Sequence, residues 1–402
     1  MTAFLANRLG SVKPSPSMTA KERVEGLRAL GRAIIDFTIG EPDFPTPPHI
    51  IAAGIDALKS GQTRYTAVNG TPALRQAITA KLARDNDLEY SPDDIAVGCG
   101  AKHIIYTAFA ATLNDGDEVI VPAPYWVSYP AMVAINGGIP VIAPCDAAGG
   151  FKLTPQLLER SITLRTRWLI LNTPNNPTGA VYSNEELRAL GGVLLRHPHV
   201  WLMTDEIYEH FVFGQARHVS TLQIAPGLAP RTLVVNGVSK AYAMTGWRIG
   251  YGAGPRLLIK AINLLLSQST TCPGAMSQAA AVVALEGPQD CVVEAAEVFG
   301  RRRDRIVERL RRVPGIECAP PDGAFYVFPS VARLIGKTSP QGQRLSSDTD
   351  VMTYLLEQAG VATIDGTSYG QSPYLRMSFA TSIKQIELGC ERLREAVTLL
   401  ID

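Results

Sequence analysis

The sequence predicts an α/β fold, with a mostly parallel central sheet in a large domain and a smaller α/β domain after it. Three observations lead there. Short apolar runs alternate with helix-like segments; those runs are apolar at successive positions; and 402 residues exceed what a single hydrophobic core usually serves. Taken in order, DDIAVG precedes the helix-like GAKHIIYTAFAATL, and DEVIVPAP, IPVIAP, TRWLILNTP, VWLMTDEIY and RTLVVNGVSK follow. A run such as Val200-Trp201-Leu202-Met203 suits a strand covered by helices on both faces. The large domain is expected over residues 46–295. Beyond it the charged helical stretch RRRDRIVERLRR leads into a small domain, residues 296–402, whose strand candidates are GAFYVF and YLRMSFAT. Residues 1–45 carry Pro, Gly and Ser without sustained periodicity and read as an arm joining the small domain. GKTSPQGQRLSSDTD contains little that could be buried and reads as a surface loop.

Composition narrows the function classes. Hydrophobic residues at 46% and charged residues at 19% fit an ordinary globular protein. Lys plus Arg number 38 against 37 Asp plus Glu, so no overall field favours nucleic acid or an anionic membrane, and an anionic ligand must be held locally. Cys99, Cys145, Cys272, Cys291, Cys318 and Cys390 are scattered without a C-x-x-C pair and read as reduced thiols. With neither a signal-peptide pattern nor an apolar run of spanning length, a cytoplasmic location is the expectation.

In open α/β sheets the ligand crevice lies beyond the carboxyl ends of the strands. Asp205 and Tyr208 follow VWLMT, Ser239-Lys240 follows TLVVN, and the loop Thr173–Gly179 follows RWLILN. A lysine just past a buried strand is either a surface residue or an amine whose pKa is depressed by a low-dielectric site, which makes it a nucleophile. Arg248 is either a fixed cation for bidentate phosphate binding or a surface ion pair. Gly100-Ala101-Lys102 lies where a strand gives way to a helix, so backbone N–H groups there can cradle a phosphate. The surrounding GCGAKH is no dinucleotide fingerprint, because His103 stands where the last glycine is required. Gly336-Lys337-Thr338 lacks the earlier glycine of a Walker loop, and His197-Pro198-His199 has no metal-ligand partners nearby in sequence; both read as surface features.

The segment SKAYAMTGWR, residues 239–248, closely resembles the cofactor-lysine segment of class I aminotransferases. GEPDFPTP (40–47), PYWVSYP (124–130), NNPTG (175–179), DEIY (205–208) and YLRMSFATS (374–382) resemble the same family in the same order. The resemblance spans nearly the whole chain and points to the prokaryotic branch that contains aspartate and prephenate aminotransferases. It implies the fold type I architecture, with pyridoxal phosphate (PLP) held by Lys240 as a Schiff base. By the same resemblance Asp205 faces the pyridine nitrogen, Tyr208 and Asn176 bond the phenolic oxygen, and Trp126 stacks on the ring. Gly100, Ala101, Lys102, Ser239 and Arg248 hold the phosphate, joined by Tyr65 from the neighbouring subunit of a homodimer with shared sites. Arg376 grips the substrate carboxylate, assisted by Gly40 and Asn176, while Lys13 resembles a basic arm residue that meets the side-chain carboxylate of a dicarboxylic substrate. Without the family, Asp205 reads rather as a helix N-cap, Tyr208 and Trp126 as core aromatics, Asn176 as a turn residue, Arg376 as a strand-edge ion pair and Lys13 as a solvated charge.

The implied activity moves an amino group from an L-amino acid, aspartate favoured, to a 2-oxo acid, 2-oxoglutarate favoured. Alternatives on the same scaffold are aromatic, alanine or prephenate transamination and C–S β-elimination. A PLP-sensing regulator would need a DNA-binding module where only the arm-like residues 1–45 stand. Two departures from relatives bear on the pocket rim: His103 replaces a common glutamine, and Thr363-Ile364-Asp365-Gly366 replaces a common Val-Pro-Gly segment.

Overall fold

The computed structural model describes residues 4–12, 14 and 16–402. A seven-stranded sheet is built from β2 (Ile95–Gly98), β3 (Glu118–Ala123), β4 (Ile139–Pro144), β5 (Thr166–Asn172), β6 (Trp201–Asp205), β7 (Thr232–Gly237) and β8 (Gly250–Ala253), after a short β1 (Ile35–Asp36). The spatial order is β2-β8-β7-β6-β5-β3-β4. Pairings from β4 through β7 are parallel, whereas β8 runs antiparallel to both β7 and β2. Residues of β5, β6 and β7 are buried almost throughout, as their continuous apolar runs require, because helices cover both faces. One face packs around Leu169, Leu202 and Val234, the other around Ile170, Met203 and Leu233.

A second core lies under three further strands. β11 (Ile364–Asp365) and β9 (Tyr326–Val327) flank β12 (Leu375–Ser378), both antiparallel, while β10 (Val361–Ala362) pairs in parallel with β1. The chain start is therefore stitched to its C-terminal third by backbone bonds. Phe299 and Ile306 of the long helix Asp290–Leu310 fill this core with Phe325, Phe379 and Leu393. The stretch 336–350 is more buried than its composition suggests. Leu345 is a core residue, and the buried Asp348 accepts from the Thr367 N–H at 3.0 Å and hydroxyl at 2.7 Å. Alternation of polar residues hides those two inward-facing positions.

Candidate active site

The carboxyl ends of β5, β6 and β7 open into a cavity of about 250 Å³. Gly40, Ala101, Lys102, Trp126, Asn176, Asp205, Tyr208, Ser239, Lys240, Arg248 and Arg376 all line it. Gly100 immediately precedes that lining. Tyr65 lies outside the cavity and is 87% exposed. Lys13 falls outside the described residues.

Asp205 ends β6, and a turn rather than a helix follows, so it caps no helix. One carboxylate oxygen accepts from the Tyr129 hydroxyl at 2.6 Å and the other from the Ile207 N–H at 3.3 Å. Burial pushes the Asp205 carboxyl up to about 6, against the pull of those two donors. Lys240, just past β7, donates to the Gly40 carbonyl at 2.6 Å. Burial lowers its amine to about 8, the nearby Glu41 opposing this and the Arg248 and Arg376 charges adding to it. The amine thus loses its proton more readily than an exposed lysine, toward the state a nucleophilic lysine needs.

The anion cradle is made by close backbone approach. Gly100 (φ +92°) precedes the helix Ala101–Thr112, and a Cβ on it would sit 2.3 Å from a guanidinium nitrogen of Arg248. A Cβ on Gly250 would sit 2.0 Å from the Ala101 nitrogen, so β8 carries glycine where it touches the helix start. Arg248 donates to the Thr245 and Cys99 carbonyls at 2.7 and 3.1 Å and, among the described residues, forms no ion pair. His103 fixes the same loop by accepting from the Cys99 N–H at its Nδ1 (3.2 Å), and burial keeps its imidazole on the neutral side. The Lys102 ammonium stands 4.7 Å from the centroid of the Trp126 ring.

Arg376, on β12 opposite Ile364, is 2% exposed, and is no edge ion pair. It donates to the Thr38 carbonyl and at 3.5 Å to Asn176 Oδ1, while its buried Nε has no partner among the described residues. Within Thr363–Gly366, Ile364–Asp365 form the strand beside this arginine. Asn176 is held in turn through its N–H by Asn172 Oδ1 at 2.9 Å.

A connector from Gly40 to Thr46 crosses the cavity rim. Thr245 donates to Glu41 at 2.6 Å, Thr46 to the Ala243 carbonyl at 2.7 Å, and Arg302 grips Asp43 with two bonds of 2.6 and 2.9 Å. Lys240 and the helix Asp290–Leu310 are thereby tied to one short strip of chain.

Sequence reasoning missed Tyr129 and Tyr326 as site residues. Tyr129 stands three residues after Trp126 within PYWVSYP, at the start of the helix Ser128–Ile135, and that nearness was its one signal. Tyr326 carried no such signal: it reads as one aromatic in the apolar run GAFYVF.

A buried carboxylate, a depressed lysine amine, an unfilled guanidinium and an anion cradle around one cavity form a donor set that fits a phosphorylated pyridinium aldehyde together with an amino-acid carboxylate. The family model for aminotransferase class I and II matches residues 32–393. The chain belongs to that family. The Rhizobium meliloti (strain 1021) aspartate aminotransferase is 50% identical over 391 residues, covering 97% of this chain and 95% of the relative. The aspartate/prephenate aminotransferase of Cereibacter sphaeroides is 50% identical, covering 98% of each. A crystal structure of the Rhizobium meliloti aspartate aminotransferase superposes with a TM-score of 0.96 at 50% identity over 99% of both chains. That of the Thermus thermophilus aspartate aminotransferase with maleate gives 0.91 at 39% identity, covering 98% of this chain and 99% of that one. This aminotransferase is a PLP-dependent transaminase of fold type I. No helix among the described residues is long and apolar enough to cross a membrane.

Proposed function

We propose that this aminotransferase acts on dicarboxylic amino acids, aspartate foremost, with 2-oxoglutarate as the amino acceptor. The observation that carries the reading is the grouping of Lys102, Arg248 and Arg376 around one cavity beside Lys240 and Asp205. Lys102 and Arg248 suit the cofactor phosphate and Arg376 the α-carboxylate, while the name of the Rhizobium meliloti aspartate aminotransferase favours a substrate with a second carboxylate. Lys13 is proposed to assist from the arm. Prephenate, another dicarboxylate, is the second reading, favoured by the name of the Cereibacter sphaeroides relative.

PLP, when bound, supplies a carbonyl that captures amines and a ring that withdraws electrons from the substrate Cα. Lys240 would hold it, and the Lys240 amine, when free, would lift the proton from the substrate Cα. Asp205 stays ionised against the ring nitrogen and keeps it protonated, and Tyr129 keeps that carboxylate aimed. Tyr208 and Asn176 donate to the phenolic oxygen, and Trp126 covers the ring. Gly100, Ala101, Lys102, Ser239 and Arg248 bind the phosphate through N–H, hydroxyl and cationic groups. Arg376 clamps the α-carboxylate, with Gly40 and Asn176 completing its seat.

The working form is proposed to be a homodimer in which Tyr65 reaches the phosphate of the neighbouring subunit. Its 87% exposure leaves Tyr65 free to reach another subunit, and the exposed Leu257 (79%) and Leu264 (65%), seven residues apart on the helix Arg256–Ser269, support a covered apolar face. The six thiols, all free, fit the proposed cytoplasmic location.

The test is a panel of amino acids mixed with the purified, PLP-loaded protein, following the change in its visible absorption. Aspartate and glutamate are expected to discharge the band at least about tenfold faster than alanine or phenylalanine, as one additional charge-assisted carboxylate contact implies. Equal rates across the panel would remove the dicarboxylate reading. Lys240→Ala is expected to abolish turnover, and sustained transamination in that variant would remove the lysine assignment.

A further inference from the structure

Resting on the roles proposed above for Tyr208 and Arg376, we infer that Tyr326 is a positioning residue serving both, its hydroxyl directing the proton of Tyr208 and its ring supporting the guanidinium of Arg376. Tyr326 sits on β9, in register with Ser378 of β12, so the strand that carries Arg376 also fixes its neighbour. Its hydroxyl lies 2.8 Å from that of Tyr208, and among the described residues this is the only hydrogen-bond partner of either hydroxyl. Arg376 stacks over the Tyr326 ring at 4.7 Å and over that of Tyr369 at 5.4 Å. A Cβ on Gly40 would stand 3.3 Å from the Tyr326 oxygen, so the rim connector leaves just enough room for the hydroxyl.

Two hydroxyls at that distance share one proton between them, and the orientation decides which one is free to donate elsewhere. Tyr208 can give its proton to a ligand oxygen only if it accepts from Tyr326. Both rings are buried, and the charged groups around them are Arg376 over Tyr326, Lys240 with its amine 5.9 Å from the Tyr208 ring centroid, and Asp205. None of these accepts from Tyr326 in the structure, so the chain Tyr326→Tyr208→ligand oxygen is the arrangement that satisfies every donor. A donor that is itself receiving a hydrogen bond is the stronger donor. It favours the form of the bound cofactor in which the Lys240-linked nitrogen has lost its proton, because that form leaves more negative charge on the phenolic oxygen.

The test uses the PLP-loaded enzyme and reads the pH at which its visible absorption changes, together with the Kd for maleate, an unreactive dicarboxylate. Tyr326→Phe is expected to raise that pH by about 0.5 unit and to leave the maleate Kd unchanged, since the ring remains. Tyr208→Phe should raise it by more than about one unit, and the double variant should match Tyr208→Phe alone. Tyr326→Leu should in addition weaken maleate about three- to thirtyfold. A wild-type titration for Tyr326→Phe beside a shifted Tyr208→Phe overturns the inference and leaves the Tyr208 assignment standing. An unshifted Tyr208→Phe overturns that assignment and this inference with it. Unchanged maleate binding in a folded Tyr326→Leu overturns the support given to Arg376.

Discussion

Asp205 shows what the site costs the fold at the level of single residues. Its folded pKa, about 6, lies above the ordinary carboxylate value of 3.8. The folded protein therefore binds this proton more tightly than the unfolded chain does, and stability is lost as the pH rises from about 4 to about 6. Above that window the buried, ionised carboxylate remains a fixed burden of about 3 kcal/mol at most, since each pH unit separating the folded and unfolded values is worth about 1.36 kcal/mol. Asp205→Asn in the cofactor-free protein is expected to gain about 1–3 kcal/mol at pH 7.5, with the gain vanishing at pH 4, while turnover collapses; urea unfolding at the two pH values checks it. Lys240 and Asp205 drew notice because one closely follows and the other ends a buried strand, but the roles expected of them came from the family resemblance. Tyr129 and Tyr326 drew none, because an aromatic among apolar neighbours looks like packing until its hydroxyl is seen to have a partner.

Among the elements, β5, β6 and β7 were legible for a simple reason: burial on both faces demands continuous apolar residues. β8 was not, since Gly250-Tyr251-Gly252-Ala253 lacks such a run. Its glycines answer to the neighbours it touches, Ala101 at Gly250 and Ile104 at Gly252. The two-residue β1, β10 and β11 are too short to carry any period. The helix start at Ala101 shows how much depends on such contacts. Gly100→Ala must place a side chain at φ +92° and against Arg248. We expect the fold to survive and the affinity for PLP to fall by about ten- to a hundredfold, from about 1–3 kcal/mol of backbone strain, as measured by absorbance titration of the cofactor-free protein.

For the molecule as a whole, the alternation of runs and helices foretold a mostly parallel sheet, but composition holds no trace of a second subunit. That expectation came through family likeness at Tyr65, and it has its own test. If Tyr65 serves the neighbouring subunit's site, Tyr65→Ala and Lys240→Ala proteins, each inactive alone, regain activity when subunits are exchanged. Random pairing makes half the dimers mixed, each with one intact site, so about a quarter of wild-type turnover is expected; no recovery after verified exchange would place Tyr65 elsewhere. The position of Trp126 has a practical side. An indole beside the Lys102 ammonium, edge-on to Tyr129 at 5.2 Å and lining the cavity itself, is a built-in fluorophore. Its emission is exposed to quenching by whatever chromophore enters, so loading and emptying of this enzyme can be watched without a label.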